Sequence, residues 1–230
     1  MSPTSTRRDA GRRVSSSLLA RALLLVTLLA GYLAVRPWLN NWGASAAETR
    51  RSLPGDDLVP DPNYQTTRAI TIDAPPERVW PWLVQLGKGR GGLYSYDWLD
   101  VVFGILDGPS ADEIEPAYQR LGVEETIPLG GDGEGLLVKA VQTERALVTV
   151  PERLPEGTLT WVFVLEPLSG GRTRLLTRNR GSIPRSPRWV ALVAVIEPAA
   201  FLMTRKMLLG IKRRAERHRV DADGSEEPHP

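Results

Sequence analysis

Residues 18–35, LLARALLLVTLLAGYLAV, are apolar except for Arg21 and Thr27. As a helix this run rises about 27 Å, against a bilayer hydrocarbon core of about 30 Å. Arg21 lies near one end, where its long stem can reach the headgroups. Arg36, Trp38 and Trp42 follow at the other end, where interfacial anchors belong. The pattern predicts a single-pass membrane anchor over residues 18–36. A cleaved signal peptide with Ala44-Ser45-Ala46 as its cleavage site is an alternative, and a buried or interfacial helix is another. Arg7, Arg8, Arg12, Arg13 and Arg21 precede the core of the run, against Arg36, Arg50 and Arg51 after it. The positive-inside rule then places the following domain on the extracytoplasmic side.

Beyond the anchor the periodicity changes. Residues 1–17 are polar and basic and read as disordered, and residues 37–63, rich in proline, glycine and aspartate, read as a linker. Residues 67–72 alternate as a strand. Asp73 then caps a helix whose first turn holds Pro75 and Pro76, which Pro81 keeps short and Gly87 stops. Residues 95–106 suit a second short helix. Strands recur at 123–128, 135–150, 158–166 and 172–180. Leu159, Trp161, Phe163 and Leu165 share one face of the third of these, with Thr160 and Glu166 on the other. That apolar face needs a cover. Residues 187–218 supply it as a helix with Trp189, Val193, Ile196, Ala200, Met203 and Met207 at spacings of three and four. Glu197-Pro198 should bend this helix and interrupts an apolar run of about 15 residues, shorter than the roughly 20 that a membrane span needs. A second span here is the competing reading, and residues 219–230 form a polar tail.

Composition narrows the chemistry. The chain has no cysteine, so thiolate catalysis, disulfides and cysteine-held metals are excluded. Its two histidines, His218 and His229, lie near or in the polar tail, which removes support for a histidine triad or a metal site. No metal ligand set and no cofactor are expected. Gly87-x-Gly89-x-x-Gly92 matches a dinucleotide fingerprint in form, but it follows a helix and not a strand. It reads as a flexible loop with Lys88 and Arg90 in solvent. Residues 130–135, GGDGEG, read as a hairpin turn with too few oxygen ligands for calcium. Asp97 and Asp100 are either a solvated pair on a helix or an acid–base pair. Arg174, Arg178 and Arg180 share a strand face, read as solvated in preference to an anion or nucleic-acid site, and no nucleic-acid partner is expected. Trp80, Trp82, Tyr94, Tyr96 and Trp98 surround the glycine loop and either pack a core or line an apolar pocket.

The order strand, two short helices, antiparallel strands, long helix, opened by TRAITIDAPPERVWPWLVQLG, resembles the START-like helix-grip superfamily, also called SRPBCC or polyketide cyclase/dehydrase-like. VWPWLVQLGKGRGGLYSYDWLD, TRLLTRNRG and EPAAFLMTRKMLLGIKRRAE look like a bacterial, membrane-anchored branch of it, over residues 64–218. The resemblance implies an α+β domain in which a curved antiparallel sheet grips the long helix around a hydrophobic cavity. It carries over no catalytic residue. Trp80 and Trp82 should then pack inward or toward the sheet, with Tyr94, Tyr96 and Trp98 at the rim. Trp161 and Phe163 from the sheet, and Met203 and Met207 from the helix, complete the cavity candidates. The leading expectation is a membrane-tethered module that binds an apolar small molecule or lipid. The alternatives are a cyclase or dehydratase, and a structural or partner-binding domain with a filled core.

Overall fold

A computed structural model describes residues 6–131, 135–153 and 157–223. The chain divides into two units between Leu39 and Asn40. The described part of the first lies in the helix α1 (Thr6–Asn40), whose last residue begins the second unit. Residues 1–5 lie outside the described residues. Among the described residues, α1 alone contains a stretch long and apolar enough to cross a membrane, Leu19–Asn40. Within it the Thr27 hydroxyl donates to the Leu23 carbonyl at 2.9 Å, so this side chain brings no unsatisfied donor to the apolar run.

The second unit is a six-stranded antiparallel sheet of β1 (Tyr64–Ile72), β2 (Thr126–Pro128), β3 (Gly135–Gln142), β4 (Ala146–Pro151), β5 (Thr158–Leu168) and β6 (Arg172–Ser182). Their spatial order is β1-β6-β5-β4-β3-β2. The helices α3 (Pro76–Val84) and α4 (Asp97–Val102) fill the long crossover from β1 to β2, and α5 (Pro187–Asp223) closes the chain. This is the helix-grip arrangement, with the sheet curved around α5.

Strand alternation assigns the faces. Ile70 and Ile72 of β1, Trp161, Phe163 and Leu165 of β5, and Leu175 of β6 point to the side of α3 and α5. Ala69, Val162, Val164 and Leu176, one residue out of step, form a second, smaller core on the other side. In β3 the parity switches. Leu136 and Val138 face the main core, then a bulge between Val138 and Ala140 brings Val141 to that face instead. On α5 the buried seam runs Phe201, Thr204, Leu208, Ile211 and Ala215, at spacings of three and four. The helix continues unbroken through Pro198.

Several local expectations need correction. The presumed single strand 135–150 is two strands with a turn at 143–145, where Glu144 takes φ +60°. Asp73 does not cap α3, which starts at Pro76 with Pro75 as its N-cap; the Asp73 N–H donates instead to Glu216 at 2.7 Å. Prolines at the start need no capping partner for N–H groups they lack. Pro128 pairs with Gly135, as a hairpin between β2 and β3 requires, although residues 132–134 lie outside the described residues. Of the expected polar tail, residues 219–223 continue α5 and 224–230 lie outside the described residues.

The largest departure is the segment read as a linker. Residues 43–60 are strapped onto the outer sheet face by the arginine row of β6. Arg174 donates to Glu48 at 2.8 Å and to the Gly43 carbonyl at 2.6 Å. Arg178 is buried and donates to Asp56 and to the carbonyls of Glu48, Thr49 and Arg51. Arg180 donates to the carbonyls of Val59 and Pro60 and to Gln65. The row therefore satisfies the strap's backbone acceptors and is not a solvated face. Ser45 and Glu48 form a capping box on the short helix α2 (Ala46–Arg50), and Leu53 drops into the smaller core.

Candidate functional site

Between the inner sheet face and α5 lies a cavity of about 330 Å³, at the small end of ligand-sized pockets. One wall is α5, through Ile196, Ala200, Met203 and Met207, with Thr204 beside them. The four apolar residues are part of the stripe that periodicity picked out in the sequence. The sheet contributes Tyr64 and Arg68 from β1, Leu159 and Trp161 from β5, and Asn179 from β6. The crossover adds Leu93, Ser95 and Ile105, and Leu129 follows β2. Most of this lining is apolar, so the cavity can desolvate a hydrocarbon body while a few polar groups fix its orientation.

The cavity exists partly because the loop before α4 lies tightly on α5. Tyr94 takes φ +56°, and a Cβ on Gly210 would stand 2.3 Å from the Tyr94 carbonyl oxygen. Glycine at 210 is what permits this approach, which carries Leu93 and Ser95 to the wall. Trp82 stacks edge-on against Tyr94, ring centroids 5.7 Å apart, and holds the loop from the α3 side. Burial raises the Tyr94 hydroxyl above its ordinary value, so this ring enters the core as a neutral phenol.

Arg68 is the charged residue of the lining, and it is 1% exposed. It shares strand parity with Ile70 and Ile72, which aims it inward. Its Nη1 donates to the Thr204 hydroxyl at 3.4 Å, and its guanidinium carbon lies 5.7 Å from the Phe201 ring centroid. Burial lowers its pKa, while the neighbouring Tyr64 and Glu197 act in the opposite sense and favour the charge. Glu197, buried on α5, accepts from Asn40 Nδ2 at 3.2 Å. Trp161 Nε1 donates to the Thr177 hydroxyl at 2.8 Å, so its polar edge is satisfied and its ring serves as wall.

A second buried acid sits behind the lining. Asp100 is fully buried on α4 and accepts from the hydroxyl of Ser95, itself a lining residue. Burial raises its carboxyl above the usual range. Asp97 accepts separately from the Ser110 hydroxyl at 2.6 Å. The two aspartates are thus tied to different serines and are not a solvated pair.

Of the nine aromatic and methionine candidates, three line the cavity: Trp161, Met203 and Met207. Trp80, Trp82, Tyr94 and Phe163 are buried in the main core, which fills the space between α3 and the sheet. Tyr96 is half-buried under Lys206, whose Nζ lies 5.6 Å from the ring centroid. Trp98 is 67% exposed on α4. The glycine loop is not free either. Arg90 donates to the carbonyls of Val84 and Tyr118, and Lys88 pairs with Asp107 at 2.9 Å. Arg68 and Glu197 were not singled out by sequence, although each carries a signal. Arg68 is a charge at the inward parity of an apolar strand, and Glu197 is a lone acid within an apolar helical run.

No protein-family model and no curated protein matches the chain. Solved structures with a similar arrangement include a polyketide-cyclase-like protein of Corynebacterium glutamicum. It is 16% identical with a TM-score of 0.41, covering 72% of this chain and 97% of that one. A protein from Mesorhizobium loti is 16% identical at TM-score 0.40, covering 67% and 98%. The Aha1 dimer from Colwellia psychrerythraea is 16% identical at TM-score 0.38, covering 65% and 98%.

Proposed function

We propose that the second unit binds one apolar small molecule or lipid in the cavity under α5 and that residues 18–36 tether it to a membrane. The observation that carries the reading is the cavity's make-up: about 330 Å³ walled by Trp161, Met203, Met207 and aliphatic side chains, with the buried Arg68 at its edge. Binding needs no reactive side chain. An apolar body fills the volume and gains from burial at about 25 cal/mol per Å², while Arg68, Asn179 and Ser95 offer polar contacts to one polar end. Methionine side chains adapt to irregular shapes, which suits a wall that meets flexible chains. The tether is supported by the length and composition of Leu19–Asn40, and the arginine bias before it supports an extracytoplasmic domain.

Catalysis of a cyclisation or dehydration is the second reading, favoured by the buried pair Arg68 and Glu197. It has less support, because Glu197 is not among the residues lining the cavity and already accepts from Asn40.

The test is photolabelling of the membrane-bound protein with a diazirine-bearing fatty acid, followed by peptide mapping. Labelling at Met203, Trp161 and Leu93 that an excess of unmodified fatty acid suppresses is the expected result. Labels confined to outward-facing residues would overturn the reading.

A further inference from the structure

Most of the exposed large apolar side chains of the second unit fall on two elements, with Leu58, Val123 and Leu168 elsewhere. Val190, Leu192, Val195, Ile196 and Leu202 of α5 are exposed, Val195 at 75%. Trp98, Val101 and Val102 of α4, with Phe103 at its end, are exposed too. Ile196 lines the cavity directly, and α4 lies in the chain between the lining residues Ser95 and Ile105. Single exposed apolar residues are ordinary, but runs of them on a short helix and on half of a long one mark a surface that is covered in use.

Two further observations identify the cover. The chain enters this unit at Asn40, the last residue of the membrane-length stretch. Asn40 is bonded to Glu197, and Trp42 packs edge-on against Phe201 at 6.4 Å with the Arg205 guanidinium 5.2 Å from its ring centroid. Asn40 and Trp42, where the chain enters this unit, are thus held to Glu197 and Phe201, on the same half of α5 that carries the exposed residues. The charge agrees. From Arg172 to Ala215 the only acidic residue is Glu197, which is buried, whereas Arg185, Arg188 and Arg205 are exposed.

We infer that α4 and the first half of α5 rest on the surface of the anchoring bilayer, with anionic headgroups meeting Arg185, Arg188 and Arg205. The cavity then opens toward lipid, and its apolar ligand passes between bilayer and cavity without crossing water. This inference rests on the tether proposed above. Burial of side chains such as Val195 and Val102 among acyl chains removes apolar area from water, and each arginine adds attraction to an anionic surface that salt screens.

The chain lacks cysteine, so single labels can be placed cleanly. The full chain carrying Val195→Cys, Val102→Cys or Ser169→Cys is labelled with a nitrobenzoxadiazole fluorophore and reconstituted in phosphatidylcholine vesicles, with or without phosphatidylglycerol. Ser169 is the control, because it is exposed at the end of β5 away from the cavity residue Leu159. Lipids with a shallow doxyl group should quench the labels at 195 and 102 several-fold more than the label at 169, and phosphatidylglycerol should widen the gap. Equal quenching at all three sites overturns the inference. Alkaline carbonate extraction separates the two ideas. A chain that stays in the vesicles without selective quenching keeps the tether and removes the docking face. A chain that is stripped, yet was selectively quenched before extraction, keeps the face and removes the span.

Discussion

The Arg178 guanidinium and the Asp56 carboxylate lie 2.5 Å apart, with side-chain exposures of 1% and 9%, although 122 residues separate them in the chain. The pair fastens the strap to the sheet. Breaking it leaves a buried cation without its counter-charge, which costs about 3–5 kcal/mol. Asp56→Ala should therefore shift the urea midpoint strongly, and Arg178→Met should shift it as well, because the carbonyls of Glu48, Thr49 and Arg51 lose their donor. By the same logic a chain beginning at Asn40 should fold, and one beginning at Tyr64 should not. Far-ultraviolet circular dichroism and urea titration of the two truncations check this.

Glu48 gives the strap a pH dependence. Its hydrogen bond from Arg174 lowers the carboxyl from 4.5 to about 2. A lowered acid pKa stabilises the fold above the unfolded value and loses that contribution as pH falls from 4.5 toward 2. Glu48→Gln should destabilise the protein by about 1–3 kcal/mol at neutral pH. Parent and variant should converge below pH 2, as read by unfolding midpoints across the acid range.

Asp100 has the opposite sign. Burial raises its carboxyl, so the folded state binds the proton more tightly than the unfolded state does. Stability from this group is complete below the ordinary aspartate range and falls as pH rises through the folded value. Asp100→Asn removes a charge from a fully buried position and keeps an acceptor for Ser95. It should raise the thermal midpoint at neutral pH by a few degrees, with the gain vanishing in acid.

The strand pattern made the sheet legible, because alternation in β1, β5 and β6 is enforced by a core on the α5 side. Spacing on α5 likewise predicted Ile196, Ala200, Met203 and Met207 as one row, and that row lines the cavity. Two kinds of feature were not legible. The strap carries no periodicity, since its order comes from backbone carbonyls bonded to Arg174, Arg178 and Arg180; it looks like a linker in any composition count. The aromatic stretch fails for another reason. Trp80, Trp82, Tyr94 and Trp98 lie close in sequence, yet α3, a left-handed Tyr94 and α4 send them to core, loop and surface. Residue type shows that aromatics bury well, but not which of them borders empty space. Arg68 illustrates the remaining gap, because a single inward charge on a strand becomes informative only once the opposite wall is known.

Met203→Trp tests the cavity most directly. Met203 is a half-buried wall residue, and the added ring volume must go either into open space or into packed neighbours. The measurement is native mass spectrometry of parent and variant full-length protein purified from the host, paired with thermal unfolding of both. A small apolar molecule retained by the parent and absent from the variant, with little change in unfolding temperature, is the predicted result. A parent that carries nothing, together with a variant destabilised by about 1–3 kcal/mol through overpacking, would contradict the binding function and leave a filled core in its place.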